Sequence, residues 1–112
     1  MMDLKISYRH LEPSDSISAK IEEKVKHLKK YFQGKLNIDW VCSVEGHQQH
    51  KSEVNVTFGG MSFHAHAVDK NLYASLDLVI QKLEKQIQKK NEKLKNHIHK
   101  NIDHQVNYSE DL

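Results

Sequence analysis

Residues 71–98 read NLYASLDLVIQKLEKQIQKKNEKLKNHI, and this stretch determines the second half of the fold. Its apolar residues recur in steps of three, four or seven, the spacing of one face of an α-helix. They are Leu72, Leu76, Ile80, Leu83, Ile87, Leu94 and Ile98. Asn71 is a suitable N-cap, because its side-chain oxygen can accept from the free amides of the first turn. We therefore expect a helix of about 27 residues, roughly 40 Å long.

The opposite face of this predicted helix is rich in lysine. At about 100° per residue, the side chains close to 180° from the apolar face are Lys82, Lys85, Lys89, Lys93 and Lys100. From Lys82 to Lys100, seven lysines stand against two glutamates, which gives this segment a net charge of +5 in a chain whose overall charge is +2. We expect so concentrated a positive charge to face an anionic partner.

The residues before Asn71 predict one further helix and four strands. Apolar and polar residues alternate in the strands, whose inward residues are Leu4, Ile6 and Tyr8; Ile38, Trp40, Cys42 and Val44; Val54, Val56 and Phe58; and Phe63, Ala65 and Ala67. The helical stripe consists of Ile17, Ile21, Val25, Leu28 and Phe32, with Ser14 as the cap, Asp15 in the first turn and Gly34 as the stop. We expect the polar stretch from Glu45 to Ser52 to be the loop of a wide hairpin, and Gly59 with Gly60 to be a tight turn.

The order β-α-β-β-β-α predicts an α+β domain. A strand-helix-strand unit makes a right-handed parallel crossover, and the short hairpins that follow make an antiparallel meander. The result is a four-stranded mixed sheet with two helices packed on one face. Since six or seven strand residues span only about 20 to 24 Å, the last turns of the second helix should overhang the sheet. We assign residues 1–100 to this domain and residues 101–112 to a polar, acidic and flexible C-terminal tail.

Bulk composition excludes several classes of protein. A chain of 112 residues with 38% hydrophobic and 29% charged residues is typical of one globular domain. No apolar run approaches the length of a membrane span, and the N-terminus lacks the apolar region of a signal peptide, so a cytoplasmic protein is expected. The single cysteine, Cys42, lies in an alternating apolar stretch and is expected to be a small buried residue.

The sequence gives little support for metal binding or catalysis. His64 and His66 share one strand face, but no Cys, Asp or Glu accompanies them at a recognisable ligand spacing, so we expect no metal and no cofactor. We also expect no enzyme, because the chain has no nucleophile motif and no phosphate-cradling glycine loop. Asp77 is expected to be partly buried, with a capping or interhelical hydrogen bond.

The lysines of the two helices are the best candidates for a functional site. Any single lysine is adequately explained as solvated helix surface with nearby glutamates. The ensemble has too few carboxylates to neutralise it, which favours binding of a nucleic-acid backbone. Lysine acts as a point charge and Arg9 is the only arginine, so recognition of shape and charge is expected rather than of base sequence.

Three elements of the chain resemble the ribosome hibernation-promoting factors, a family that includes the ribosome-associated inhibitor of translation and proteins described as sigma-54 modulation proteins. Residues 71–87 resemble its "D-x-Y-A-A-I-D … K-L-E-R-Q" signature, residues 24–32 its "K-L-x-K-Y-F" element, and residues 63–67 its "I-H-A-x-A" strand. Asn71 departs from the usual acidic residue, and Lys85 stands where arginine is common. Only a short tail follows His99, so we expect a member of the short type.

This resemblance implies a layout like that of double-stranded RNA-binding domains and a translation-blocking role in stationary phase or stress. Family members occupy the messenger RNA and A-site and P-site transfer RNA channel of the small ribosomal subunit and contact 16S ribosomal RNA, with no small-molecule substrate. Tyr73 would pack between helix and sheet, with its hydroxyl near the surface. By position, the rRNA-binding residues would be among Lys24, Lys26, Lys29, Lys30, Lys82, Lys85, Lys89, Lys90 and Lys93.

Two alternatives remain open at this point. Leu94 and Ile98, on the predicted overhang, suit a coiled-coil contact, so the chain is alternatively a helical protein-protein interaction module with weak self-association. The second alternative is a general RNA-binding domain that is not confined to ribosomes.

Overall fold

The computed structural model describes the backbone of residues 2–103 and the side chains of residues 2–91. The strands are β1 (Met2–Arg9), β2 (Leu36–Glu45), β3 (Gln49–Phe58) and β4 (Met61–Asp69); the helices are α1 (Asp15–Leu28), a short 3-10 turn (Lys29–Tyr31) and α2 (Leu72–Asp103). The strands lie side by side in the order β1-β2-β3-β4, with β1 parallel to β2 and the other pairs antiparallel. The predicted α+β fold with a four-stranded mixed sheet is confirmed.

One face of the sheet carries the core and the other faces solvent. Ile6 lies beside Trp40, which lies opposite Val54, which in turn lies opposite Ala65. Trp40 and Val54 are completely buried, and the apolar stripes of both helices join them in a single cluster. The two helices therefore pack on one face, as predicted. The other face, here called the open face, carries polar rows such as Lys5, Asp39, Asn55 and His64.

The first helix starts as predicted but ends earlier. Ser14 caps it, with its Oγ accepting a hydrogen bond from the Ile17 amide at 3.2 Å. The α-helix ends at Leu28, and Phe32 already has an extended backbone. The Phe32 ring packs against Phe58 of β3, with 4.9 Å between ring centroids. The prediction that Phe32 continues the helical stripe is wrong, because its aromatic partner lies on the sheet.

The hairpin between β2 and β3 is tighter than predicted. Its turn covers residues 46–48, with Gly46 and Gln48 at positive φ (56° and 55°), so the wide loop from Glu45 to Ser52 is wrong. Ser52 belongs to β3 and is fully buried, and its Oγ lies 2.8 Å from Ser75 Oγ of α2. That hydrogen bond satisfies a polar group at a core position, which explains a strand whose sequence looks like a loop.

The second helix begins at the predicted cap and is longer than the strand beside it. Asn71 Oδ1 accepts from the Tyr73 amide at 2.8 Å. With 32 residues α2 is about 48 Å long, whereas the nine residues of β4 span about 30 Å. Ile87, 1% exposed, is its last buried side chain among those described. The side chains of Leu94 and Ile98 and residues 104–112 lie outside the described part, so the tail from residue 101 stays a prediction.

Candidate nucleic-acid interface

The lysines predicted on the first helix comprise one paired residue and three exposed ones. Lys24 Nζ forms an interhelical ion pair with the carboxylate of Asp77, and the Lys24 side chain is only 24% exposed. Lys26, Lys29 and Lys30 are exposed. These three ammonium groups are accessible to an anion, whereas the charge of Lys24 is already balanced.

Two residues near the start of α2 lie differently from the prediction. Asp77 makes the expected interhelical hydrogen bond, but its side chain is 59% exposed, so its predicted partial burial is wrong. Tyr73 was expected to pack between helix and sheet, and it is 43% exposed. The neighbouring Leu72, 8% exposed, takes the core-facing position of this first turn. Tyr73 is therefore a surface residue.

Three lysines of the second helix lie on the flank that faces β4, namely Lys82, Lys89 and Lys90. The exposed residues of the predicted set are Lys82, Lys85, Lys89 and Lys90. Lys82 Nζ donates to the carbonyl oxygen of His66 at 2.9 Å, and Gln86 Nε2 donates to that of His64 at 2.7 Å. Within the described residues, β4 is an edge strand, and no further strand lies beside these carbonyl groups. The side chains of Lys82 and Gln86 therefore supply the hydrogen bonds that a neighbouring strand would otherwise supply. Lys82 thus has a structural contact in addition to its charge.

The two sets of lysines lie on different sides of α2. Asp77 points toward α1, where it meets Lys24, and Gln88 Nε2 donates to Tyr31 Oη at 3.1 Å on the same side. Lys82 points the opposite way, toward β4. The width of a helix, about 10 Å, therefore lies between α1, with the 3-10 turn that holds Lys29 and Lys30, and the flank where the α2 lysines begin. The candidate interface is therefore broad. The ion pair between Lys24 and Asp77, which carries no net charge, lies between its α1 lysines and its α2 lysines.

A cleft of about 270 Å³ opens between α2 and the start of β4. It is lined by Ser62, Phe63, Gln86, Lys89 and Lys90. A hydroxyl, an amide and two ammonium groups are donors suited to phosphate oxygens. Ser62 and Gln86 are not among the site residues predicted from the sequence. Gln86 was detectable, since spacings of three and four residues place it beside Lys89 and Lys90 on the helix, whereas Ser62 is brought there by the hairpin.

A second depression, of about 400 Å³, lies along β1 and β2. Among its lining residues are Asp3, Lys5 and Asp39. Two carboxylates against one ammonium make it a poor site for phosphate. The charge pattern therefore favours the cleft between α2 and β4.

The histidines of β4 gain a partner that their sequence spacing did not show. The rings of His64 and His66 are 6.2 Å apart on the open face. His64 Nδ1 lies 2.6 Å from Asn55 Oδ1, and His64 Nε2 lies 3.5 Å from Glu53 Oε2. Strand pairing brings Glu53 opposite His66, so a carboxylate lies beside these histidines that no ligand spacing in the sequence indicates. Among the described residues, no group of three or more His, Cys, Asp or Glu is arranged to hold a metal ion.

The thiol of Cys42 is buried, as predicted, and burial raises its pKa to about 11 from an ordinary value of 9.0. We expect no reaction of the folded chain with a thiol-specific disulfide reagent at about pH 8, and complete reaction in concentrated guanidinium chloride. Between pH 9 and 11 the unfolded chain ionises first, so stability should fall as pH rises through this range. Rapid modification of the folded protein would contradict the burial of Cys42.

The remaining predicted site residue, Lys93, lies outside the described side chains.

No helix in the described part of the chain is long and apolar enough to cross a membrane.

The chain is similar to known proteins over most of its length. Residues 4–95 match the model of the family described as "Sigma 54 modulation protein / S30EA ribosomal protein". The chain is 30% identical to the ribosome hibernation promoting factor of Azotobacter vinelandii over 82% of this chain and 85% of that protein, and 30% identical to that of Escherichia coli K12 over 86% of this chain and all of that protein.

Solved structures share the fold. The N-terminal domain of Thermus thermophilus Protein Y is 31% identical, with a TM-score of 0.71 over 78% of this chain and 96% of that one. A ribosomal subunit interface protein from Coxiella burnetii has a TM-score of 0.65 over 81% of this chain and 98% of that one, at 20% identity.

Proposed function

Since this chain belongs to the sigma 54 modulation protein / S30EA ribosomal protein family, we propose that it is a ribosome hibernation factor that binds the small ribosomal subunit. It occupies the channel for messenger RNA and the A-site and P-site transfer RNAs, contacts 16S ribosomal RNA and blocks translation in stationary phase or stress. It acts in the cytoplasm by steric occlusion, without catalysis, cofactor or small-molecule substrate.

The observation that carries this proposal is the group of exposed lysines on α2 beside a cleft. Lys85, Lys89 and Lys90 have no ion pair among the described residues, and two of them line the cleft together with Ser62, Phe63 and Gln86. Lysines at such a surface bind phosphate groups without selecting a base sequence. A folded RNA with closely spaced phosphates is the ligand that suits this surface best.

The contribution of each predicted residue follows from its surroundings. Contacts are expected mainly from Lys26, Lys29, Lys30, Lys82, Lys85, Lys89 and Lys90. Lys24 would have to exchange the carboxylate of Asp77 for a phosphate, so its net contribution is smaller. Lys93 is proposed from its sequence position alone.

Binding to small ribosomal subunits should depend steeply on salt. If about six lysines engage phosphates, the logarithm of the association constant should fall against the logarithm of salt concentration with a slope of roughly −5. Cosedimentation with purified subunits at several potassium concentrations and constant magnesium measures this slope. A flat dependence would contradict the electrostatic mechanism.

A parallel titration with arbitrary duplex RNA is the control for ribosome specificity. Under the proposal, small subunits bind at least about tenfold more tightly than duplex RNA at the same salt, because only they offer the complete channel. Equal affinities would instead indicate a general RNA-binding domain.

A further inference from the structure

We propose that the outer edge of β1 is a self-association surface, where a second copy of this chain adds its own β1 in antiparallel orientation. The two sheets then form one continuous eight-stranded sheet with a twofold axis at Ile6. This surface is distinct from the lysine flank of α2, so the inference stands independently of the proposed function.

The two edge strands of the sheet differ in whether side chains from elsewhere in the fold bond to their outward-facing backbone groups. At β4, Lys82 and Gln86 donate to outward-facing carbonyl groups. At the opposite end, β1 pairs with β2 on one side, and no strand lies on its other side among residues 2–103. An eight-residue edge strand presents a row of amide and carbonyl groups suited to accept another strand.

The core-facing side chains of β1 are also incompletely covered. Met2, Leu4, Ile6 and Tyr8 are all only half-buried, although they pack on the core. Their neighbours in β2, from Leu36 to Cys42 on the same face, are at most 2% exposed. Apolar surface therefore remains at this edge, and a strand added there would cover it.

The sequence of β1 is self-complementary in one register. With Ile6 opposite Ile6 of the second copy, Leu4 lies opposite Tyr8 on the core side. On the open face, the exposed Asp3 then lies opposite the exposed Arg9, twice in each dimer. Two kinds of favourable cross-strand pair result, apolar with apolar and opposite charges, while Lys5 lies opposite the uncharged Ser7.

Two neighbouring registers also keep the core-facing side chains of both copies on the same face of the sheet. Both are disfavoured by charge repulsion. Moving the axis to Lys5 places Lys5 opposite Lys5 of the second copy. Moving it to Ser7 places Lys5 opposite Arg9. Like charges directly opposite each other destabilise strand pairing, so the register centred on Ile6 is selected.

Charge exchange at Asp3 and Arg9 tests this register. Sedimentation equilibrium of the full chain should show a reversible dimer, and either Asp3→Arg or Arg9→Asp should raise its dissociation constant at least about tenfold. The double variant D3R/R9D restores the opposite charges and should return the constant to within about threefold of the wild type. Glu22→Arg, at an exposed position of α1, makes the same charge change away from β1 and should leave the constant unaltered.

Three outcomes would overturn the proposal. The first is a wild-type chain that stays monomeric at concentrations on the order of 1 mM. The second is a double variant that associates as weakly as the single ones. The third is loss of the dimer in L94E/I98E with no effect of the β1 variants, which would place self-association on α2. Circular dichroism of each variant excludes unfolding as the cause.

Discussion

Charge reversal of Lys85, Lys89 and Lys90 to glutamate is expected to abolish binding of the chain to the small ribosomal subunit. Each lysine lost removes a charge-assisted hydrogen bond of about 1.5 to 3 kcal/mol, and each glutamate adds repulsion. The combined loss in affinity should reach at least about a thousandfold. Lys82 is left unchanged, because it also donates to the carbonyl of His66, and its replacement would disturb the edge of β4.

A matched triple variant controls for net charge. Lys5, Lys51 and Lys70 lie away from the α2 flank, the first two on the open face of the sheet, and their replacement by glutamate changes the charge by the same amount. Cosedimentation with small subunits should show wild-type-like binding, reduced only by the long-range effect of charge. Retained binding by the α2 variant would show that this flank is not the interface.

The second large effect is expected from Trp40→Ala, which should lower the free energy of unfolding by about 3 to 5 kcal/mol. Trp40 is completely buried at the centre of β2, where it contributes to the cluster shared by the sheet and both helices. Urea denaturation measures the change. Trp40→Phe should cost less, because it also removes an indole N–H that has no hydrogen-bond partner among the described residues.

Leu78→Ala is the control for the loss of Trp40. Leu78 is a large apolar residue of α2 that is 38% exposed, so its truncation should change stability by less than about 0.5 kcal/mol. Equal effects of Trp40→Ala and Leu78→Ala would contradict the assignment of the core.

The order and type of the elements were predictable because they depend on local periodicity. The alternation around Trp40 and the helical spacing from Leu72 to Ile87 each identify one buried face, and the burial in the structure agrees. The failures involve long-range partners. Ser52 lies in a strand because its hydroxyl meets Ser75 of α2, and Phe32 leaves the helix because its ring packs on β3. Neither partner can be identified from the neighbouring sequence.

The candidate site shows the same division. That Lys85, Lys89 and Lys90 are exposed follows from helix geometry, since exposed positions recur opposite an apolar stripe or beyond its last buried residue. That Lys24 is neutralised by Asp77 depends on how α1 packs beside α2. The inclusion of Ser62 in the cleft depends on the β3–β4 hairpin. The local sequence thus predicts which residue types lie at the site. Tertiary contacts determine which of those side chains are free to bind a ligand.

Under the proposed function, this chain occupies the messenger and transfer RNA channel of the small ribosomal subunit. The most direct measurement is its binding to isolated small subunits before and after they are loaded with messenger RNA and P-site transfer RNA. The proposed function predicts mutually exclusive binding, with the chain displaced from loaded subunits and no comparable binding to isolated large subunits. Undiminished binding to loaded small subunits would contradict it.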